Sequence, residues 1–121
     1  MDDYQSLFDP SRYDANEPVE VRAYRGPRRA SVFREHLVPE DLFSRALMLA
    51  RAYELHQLSA LDPYGPFELN KEQARRISEE AAWLAALVND PLLEPHLHGV
   101  RKAADFCWQY SGEAGLIIEG P

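Results

Sequence analysis

The spacing of apolar residues predicts three helices in the second two-thirds of the chain. Over residues 39–61, apolar side chains recur every three or four positions, as they do in a helix that buries one face. Asn70 followed by Gln73 has the spacing of a capping box and opens a second helix over 71–88. A third helix is predicted over 91–110. Its buried stripe consists of Leu93, Leu97, Val100, Ala104 and Cys107.

Two shorter segments have the pattern of strands. Residues 19–24 alternate apolar and polar side chains, the period of a half-buried strand, and residues 116–118 form an apolar run after Gly115. A lone pair of strands is marginally stable, so these two must pack on the helices. The pattern therefore predicts a mainly α fold, in which a three-helix core carries a small two-stranded ribbon built from the two chain termini.

The chain length fits one domain preceded by an arm. At 121 residues the sequence is of ordinary single-domain size. Residues 1–18 are polar and acidic and have no apolar period, but they contain Tyr4, Phe8 and Tyr13. Because a fully solvated tail has little use for aromatic side chains, we expect an acidic arm over 1–18 that lies along a single helical domain over 19–121.

Charge is distributed unevenly along the chain. The net charge is −7, which disfavours nucleic acid as a bulk partner. Residues 1–20 contain six acids and one arginine, whereas residues 21–34 contain five arginines and no acid. We call these five residues the arginine cluster. It consists of Arg22, Arg25, Arg28, Arg29 and Arg34.

The arginine cluster predicts a site for anionic groups, because guanidinium groups bind carboxylates and phosphates with two parallel hydrogen bonds. Tyr24, Arg25, Arg28, Arg29 and Arg34 are the predicted partner-binding or anion-binding residues. Three interpretations stay open. The acidic arm folds back onto the cluster, an acidic protein partner binds it, or it holds the phosphates of a nucleotide or nucleic acid. The overall negative charge disfavours the last.

The sequence predicts no catalytic residue, metal site or cofactor. His96 and His98 are two positions apart, which on a helix directs them about 200° apart, so they cannot bind one ion together. Cys107 falls in an apolar stripe near a helix C-terminus, where its thiol is predicted to be a buried structural group. Glu79 and Glu80 are predicted to lie on a solvated helix face.

The expected compartment is the cytoplasm. One cysteine excludes an internal disulfide, and the first residues, Met1-Asp2-Asp3, have the wrong charge for a signal peptide. No stretch approaches the roughly 18 apolar residues of a membrane span, so we expect no contact with a membrane.

These features together predict a non-enzymatic protein-interaction module, such as an inhibitor, an immunity or antitoxin-type protein, or an adaptor. The excess of arginine over lysine, eleven to two, is typical of a GC-rich bacterial or phage genome. If the arginine cluster does not bind the partner, we expect the interface on the outer face of the helices around Trp83 or Trp108.

The alternative is a small enzyme or small-molecule binder. Its pocket would lie between the helices and the loop at 62–69, lined by Tyr64, Phe67 and Trp83. An arginine of the cluster, Arg25 or Arg28, would hold an anionic ligand there.

Overall fold

The described part of the chain forms a four-stranded sheet with helices packed on one of its faces. The computed structural model describes residues 18–26, 31–62 and 65–120. Most of the predicted arm, residues 1–17, lies outside this range, and Pro18 already belongs to the first strand. The elements in chain order are β1 (Pro18–Arg25), β2 (Ser31–Pro39), α1 (Glu40–Ala52), α2 (His56–Ser59), β3 (Phe67–Leu69), α3 (Lys71–Val88), α4 (Glu94–Gln109) and β4 (Ala114–Glu119).

The sheet is antiparallel and has the strand order β2-β1-β4-β3. Val21 at its centre lies opposite His36 of β2 and Ile118 of β4. Because side chains on paired positions share a face, the apolar residues of β1 and β4 form one surface, which the helices cover. The hydrophobic core lies between this surface and α1, α3 and α4, and includes fully buried Ile77 and Leu84 of α3.

The predicted mainly α fold, a three-helix core with a two-stranded ribbon, is wrong. The predicted strands do pair with each other, as β1 and β4, but each also pairs with a strand that the pattern did not reveal. β2 places Arg34 and His36 on the helix-facing side, so its apolar and polar residues do not alternate. β3 has only three residues, which is too short for a period.

The first predicted helix, 39–61, is broken in two. α1 ends at Ala52, and the backbone of Glu54 adopts the left-handed conformation with φ 58°. The Leu55 amide donates to the Ala50 carbonyl oxygen at 2.8 Å and the Glu54 amide donates to the Arg51 carbonyl oxygen at 3.2 Å. These two bonds form a Schellman motif, which ends a helix most often at glycine. The sequence pattern did not indicate this helix end, because the residue in the left-handed conformation is a glutamate and not a glycine.

The other two helices confirm their predictions closely. α3 spans the predicted residues, and the capping box is formed: the Gln73 amide donates to Asn70 Oδ1 at 2.8 Å and the Asn70 amide donates to Gln73 Oε1 at 2.9 Å. α4 starts three residues later than predicted because Asp90 Oδ1 accepts the Leu92 and Leu93 amides in the preceding turn. The whole predicted stripe of α4 is buried.

Glu80 joins α3 to α2 and is not the solvated residue that the pattern predicts. Its carboxylate accepts the amide of Gln57 at 3.1 Å and that of Leu58 at 2.7 Å, at the start of α2. These are amides that a helix leaves without an internal partner, so Glu80 caps α2 from a neighbouring helix. Glu79 is exposed, as predicted, and forms an ion pair with Arg75.

Replacing Glu54 by glycine is expected to stabilise the protein by about 0.5–1 kcal/mol. Glycine adopts the left-handed conformation without the steric cost of a Cβ atom, although it also gains entropy in the unfolded chain. Urea unfolding gives the free energy directly. The matched control is Glu54→Ala, which removes the same charge and keeps the Cβ atom. An equal gain in both variants would show that the charge, and not the backbone, is responsible.

Replacing Glu80 by glutamine is expected to cost about 1 kcal/mol of stability, because a neutral amide oxygen replaces a charged acceptor of two amides. The neighbouring Glu79→Gln removes the same charge from an exposed position and should change stability by no more than about 0.5 kcal/mol. Equal losses in the two variants, measured by thermal or urea unfolding, would contradict the capping role of Glu80.

Candidate interaction surface

Four large apolar side chains stand partly in solvent on α1, at its C-terminal cap, and on α3. The exposed fraction is 61% for Met48, 46% for Tyr53 and 47% for both Trp83 and Leu87. Single exposed apolar residues are common on protein surfaces, but a group of them on adjoining elements marks an interaction site. We call these four residues the α1–α3 surface.

Two side-chain contacts join α1 and its C-terminal cap to α3 and to a residue that follows α3. Arg45 near the start of α1 forms an ion pair with Asp90, which follows α3. Tyr53 at the end of α1 meets Trp83 of α3 with its ring edge-on, at 5.5 Å between centroids and an interplanar angle of 71°. Because the residue numbers rise along one helix and fall along the other between these contacts, the two helices run antiparallel.

The spacing along each helix places the remaining two residues between these contacts. Met48 follows Arg45 by three positions, and Leu87 precedes Asp90 by three positions, so each lies one helical turn inside the ion pair. The four exposed side chains, the ion pair and the aromatic pair together form what we call the strip of the α1–α3 surface.

The backbone on both sides of the strip is held in place by local hydrogen bonds. Tyr53 is the C-cap residue of α1, and the Schellman motif at Glu54 fixes its position. The side chain of Asp90 is held by hydrogen bonds that it accepts from the amides of Leu92 and Leu93, in the turn before α4. Beneath the strip, Leu47 of α1 and Leu84 of α3 are buried in the core. The surface is consequently formed before a partner arrives.

Exposed carboxylates border the aromatic end of the strip. Glu79 precedes Trp83 by one helical turn, and Glu54 follows Tyr53 directly; both are exposed. The cation nearest along the chain, Arg51, donates a hydrogen bond to the Leu61 carbonyl oxygen at 3.3 Å. The border of the aromatic pair therefore carries the carboxylates of Glu54 and Glu79, of which Glu79 is paired with Arg75, and the guanidinium group of Arg51.

The described members of the arginine cluster are spread over the sheet. Arg22 lies on the face away from the helices, where it forms ion pairs with Glu20 at 3.1 Å and Glu119 at 3.2 Å. Arg34 lies on the helix-facing side, with its guanidinium carbon 5.1 Å from the centre of the Phe106 ring. Because the side chains of these two arginines lie on opposite faces of the sheet, they do not bind the same anion.

The other predicted anion-binding residues do not add a common site within the described chain. Tyr24 is buried in β1 with 7% of its surface exposed, and Arg25 is exposed at the end of that strand. Arg28 and Arg29 lie outside the described residues. The binding of an anion by the cluster stays a prediction.

The two described residues of the predicted pocket do not share a cavity. Phe67 of β3 packs against the hydrophobic core, whereas Trp83 belongs to the α1–α3 surface; Tyr64 lies outside the described residues. A pocket of about 510 Å³ does lie between α3 and α4, with His98 and Arg101 among its lining residues. An arginine therefore borders an inter-helix pocket, but it is not a member of the arginine cluster.

Two of the histidines meet across elements that are distant in sequence. His36 Nε2 of β2 lies 3.0 Å from His96 Nδ1 of α4. His98 is exposed, in agreement with the prediction that it points away from His96. Within residues 18–26, 31–62 and 65–120, no group of three or more His, Cys, Asp or Glu side chains could hold a metal ion. The sequence missed the His36 contact because it missed β2.

Cys107 and Trp108 lie in α4 close to the core. Burial raises the pKa of the Cys107 thiol to about 11, so the thiol stays protonated at neutral pH. Trp108 is half-buried and its Nε1 donates to Asp105 Oδ1 at 2.8 Å. Of the two tryptophans predicted to mark an interface, Trp83 is therefore the more accessible one.

No described helix has the length and apolar character needed to cross a membrane. The α1–α3 surface thus combines four accessible apolar side chains with a backbone that is held by local hydrogen bonds. Comparison with known proteins finds no family model, no curated protein and no solved structure that matches this chain.

Proposed function

We propose that this protein is a non-enzymatic interaction module that binds a protein partner through the α1–α3 surface. The observation that carries the proposal is the contact between Tyr53 and Trp83, two large rings that leave nearly half of their surface in water. Tryptophan and tyrosine are the residues that most often dominate the binding energy of protein interfaces.

The geometry of the aromatic pair favours tight binding at low entropic cost. Each ring has only two side-chain torsions to fix, and the edge-on contact already restricts them. The Arg45–Asp90 ion pair and the buried core beneath the strip hold the helices that carry the rings. A partner therefore gains the burial of apolar surface without first having to order it.

The charge of the chain favours a partner with an apolar centre and a cationic border. Glu54 follows Tyr53 in an exposed position, and the net charge of −7 attracts cationic surfaces and repels phosphate. An inhibitor, an immunity or antitoxin-type protein and an adaptor would each use such a surface. A cytoplasmic location, in a bacterial or phage-infected cell, fits the single free cysteine, Cys107.

Site-specific crosslinking tests this proposal. A photoreactive amino acid is placed at position 83 or, as a matched control, at position 106 of α4, where Phe106 has a similar exposed fraction of 44%. We expect a crosslinked protein in the native cells from position 83 and not from position 106. The captured protein is then identified, purified and titrated with the unmodified chain.

Titration of the purified partner gives the quantitative outcome. Trp83→Ala is expected to weaken binding at least about 30-fold, the loss typical of a residue that dominates an interface, whereas Phe106→Ala should leave the affinity within about threefold. Thermal unfolding of both variants checks that the fold is intact. If the two variants bind equally well, the α1–α3 surface is not the interface.

A further inference from the structure

The contact between His36 and His96 fastens the edge strand of the sheet to a helix. β2 is the first strand in the sheet order and pairs along its length with β1 alone among the described strands. His36 lies on the helix-facing side, opposite Val21, and its ring centre is 5.2 Å from that of His96. The imidazole of one residue thus lies directly against the imidazole of the other.

The hydrogen bond between the two rings requires one donor and one acceptor. In a neutral pair, one of the two facing nitrogens, His36 Nε2 and His96 Nδ1, carries a proton and donates it, and the other accepts. A hydrogen bond to the backbone of Leu37 raises the pKa of His96, against the larger effect of burial, which lowers it.

Protonation of both rings is incompatible with this contact. A neutral imidazole has one donor and one acceptor nitrogen, whereas an imidazolium has two donors. If both rings carry a proton on each nitrogen, an N–H group of His36 faces an N–H group of His96. At a separation of 3.0 Å these groups repel each other, and the hydrogen bond is lost.

The surroundings of the pair oppose the charged form. Burial lowers the pKa of His36 most, followed by the positive charges of His96, Arg34 and His98. Burial also lowers the pKa of His96. Arg34 is held next to the pair because it stacks on Phe106 of α4.

No carboxylate of the described residues offsets these cations. α1 packs on β2 and carries Glu40 and Asp41 in its first turn, and α4 carries Glu94 in its own first turn. None of the three contributes to the pKa of either histidine. Opposite His36, β1 presents the apolar Val21.

We propose that the His36–His96 pair is a proton-operated latch, which holds the edge strand β2 on α4 at neutral pH and releases it in mildly acidic solution. The pKa of both histidines lies below the ordinary value of 6.5 in the closed state and returns towards it when the strand is released. The released state therefore binds more protons. The closed state is fully favoured above about pH 6.5 and loses stability as the pH falls below it.

Hydrogen exchange of backbone amides, corrected for the intrinsic effect of pH, tests the latch on the full chain. Between about pH 7.5 and about pH 5.5 we expect the protection of the β2 amides to fall at least about tenfold, while the amides of α3 keep theirs. The α3 amides report global unfolding, so the comparison separates local release from loss of the whole fold.

A double variant that cannot be charged removes the pH effect. In His36→Gln and His96→Asn each side-chain amide offers a donor and an acceptor in place of the ring nitrogen, so one amide can donate to the other without either carrying a charge. We expect equal protection of β2 at both pH values in this variant. The matched control is His56→Gln, which removes an exposed histidine of α2 and should retain the pH dependence of the parent.

Gly99→Ala gives an independent test at neutral pH. A Cβ atom at position 99 would lie 2.3 Å from the ring of His36, so the ring must leave its place beside His96. We expect β2 to lose protection already at about pH 7.5, even though alanine ordinarily favours a helix over glycine.

Four results would overturn the latch. The first is protection of β2 that does not change with pH in the parent, and the second is a loss shared equally by β2 and α3. The third is a double variant whose β2 amides keep the pH dependence of the parent. Normal protection of β2 in Gly99→Ala at neutral pH would also refute it.

Discussion

Strands β1 and β4 come from opposite ends of the described chain, and every other element is placed by their pairing. Val21 lies opposite Ile118 and Ala23 lies opposite Leu116, so the two strands together present a continuous apolar face. β2 extends this sheet beside β1, and β3 extends it beside β4. α4 lies across the centre of the face and α3 packs mainly on α4. Without the pairing of β1 and β4, α4 loses the sheet surface on which it buries its apolar stripe, and α3 is placed through α4.

The α1–α3 surface follows from this layering. α4 takes most of the contact with the sheet, and α3 packs on α4 and on α2 but has few contacts with α1, so Trp83 and Leu87 stay partly exposed. α1 approaches it closely at two places, the ion pair of Arg45 with Asp90 and the contact of Tyr53 with Trp83. Exposed apolar surface has an unfavourable free energy of about 25 cal/mol per Å². A protein partner that covers the strip between these contacts removes this cost, which is the physical basis of the proposed interaction.

The parts of the fold that the sequence predicts are those whose signal is local. α3 has its capping box and α4 its apolar stripe, and β1 alternates apolar and polar residues within six positions. The missed parts depend on distant residues. Arg34 on the buried side of β2 is accommodated by Phe106, more than seventy positions away, and no local pattern contains that information.

The sequence predicts the candidate surface only in part, for the same reason. Trp83 has the helical position of an outward-facing residue, but its neighbour Tyr53 comes from a helix end that the sequence placed inside a longer helix. α1 ends where the backbone of Glu54 adopts the left-handed conformation. A glycine at this position would predict that conformation, whereas a glutamate does not.

Both functional proposals concern positions where the usual arrangement, in which apolar side chains are buried and polar side chains are exposed, is reversed. At the edge of the sheet, β2 faces the helices with His36 and Arg34 and is held by a histidine pair and a cation–π contact. The histidine contact depends on protonation, whereas the apolar burial that holds β1 and β4 does not. At the α1–α3 surface the departure is the opposite one, because Trp83 and Leu87 are apolar and stay partly in water. Departures from local consistency concentrate at functional sites in proteins, which is why these two places carry the two proposals. Because β2 runs into α1 at Pro39 and Glu40 without an intervening loop, the strand of the proposed latch is covalently continuous with a helix of the proposed binding surface.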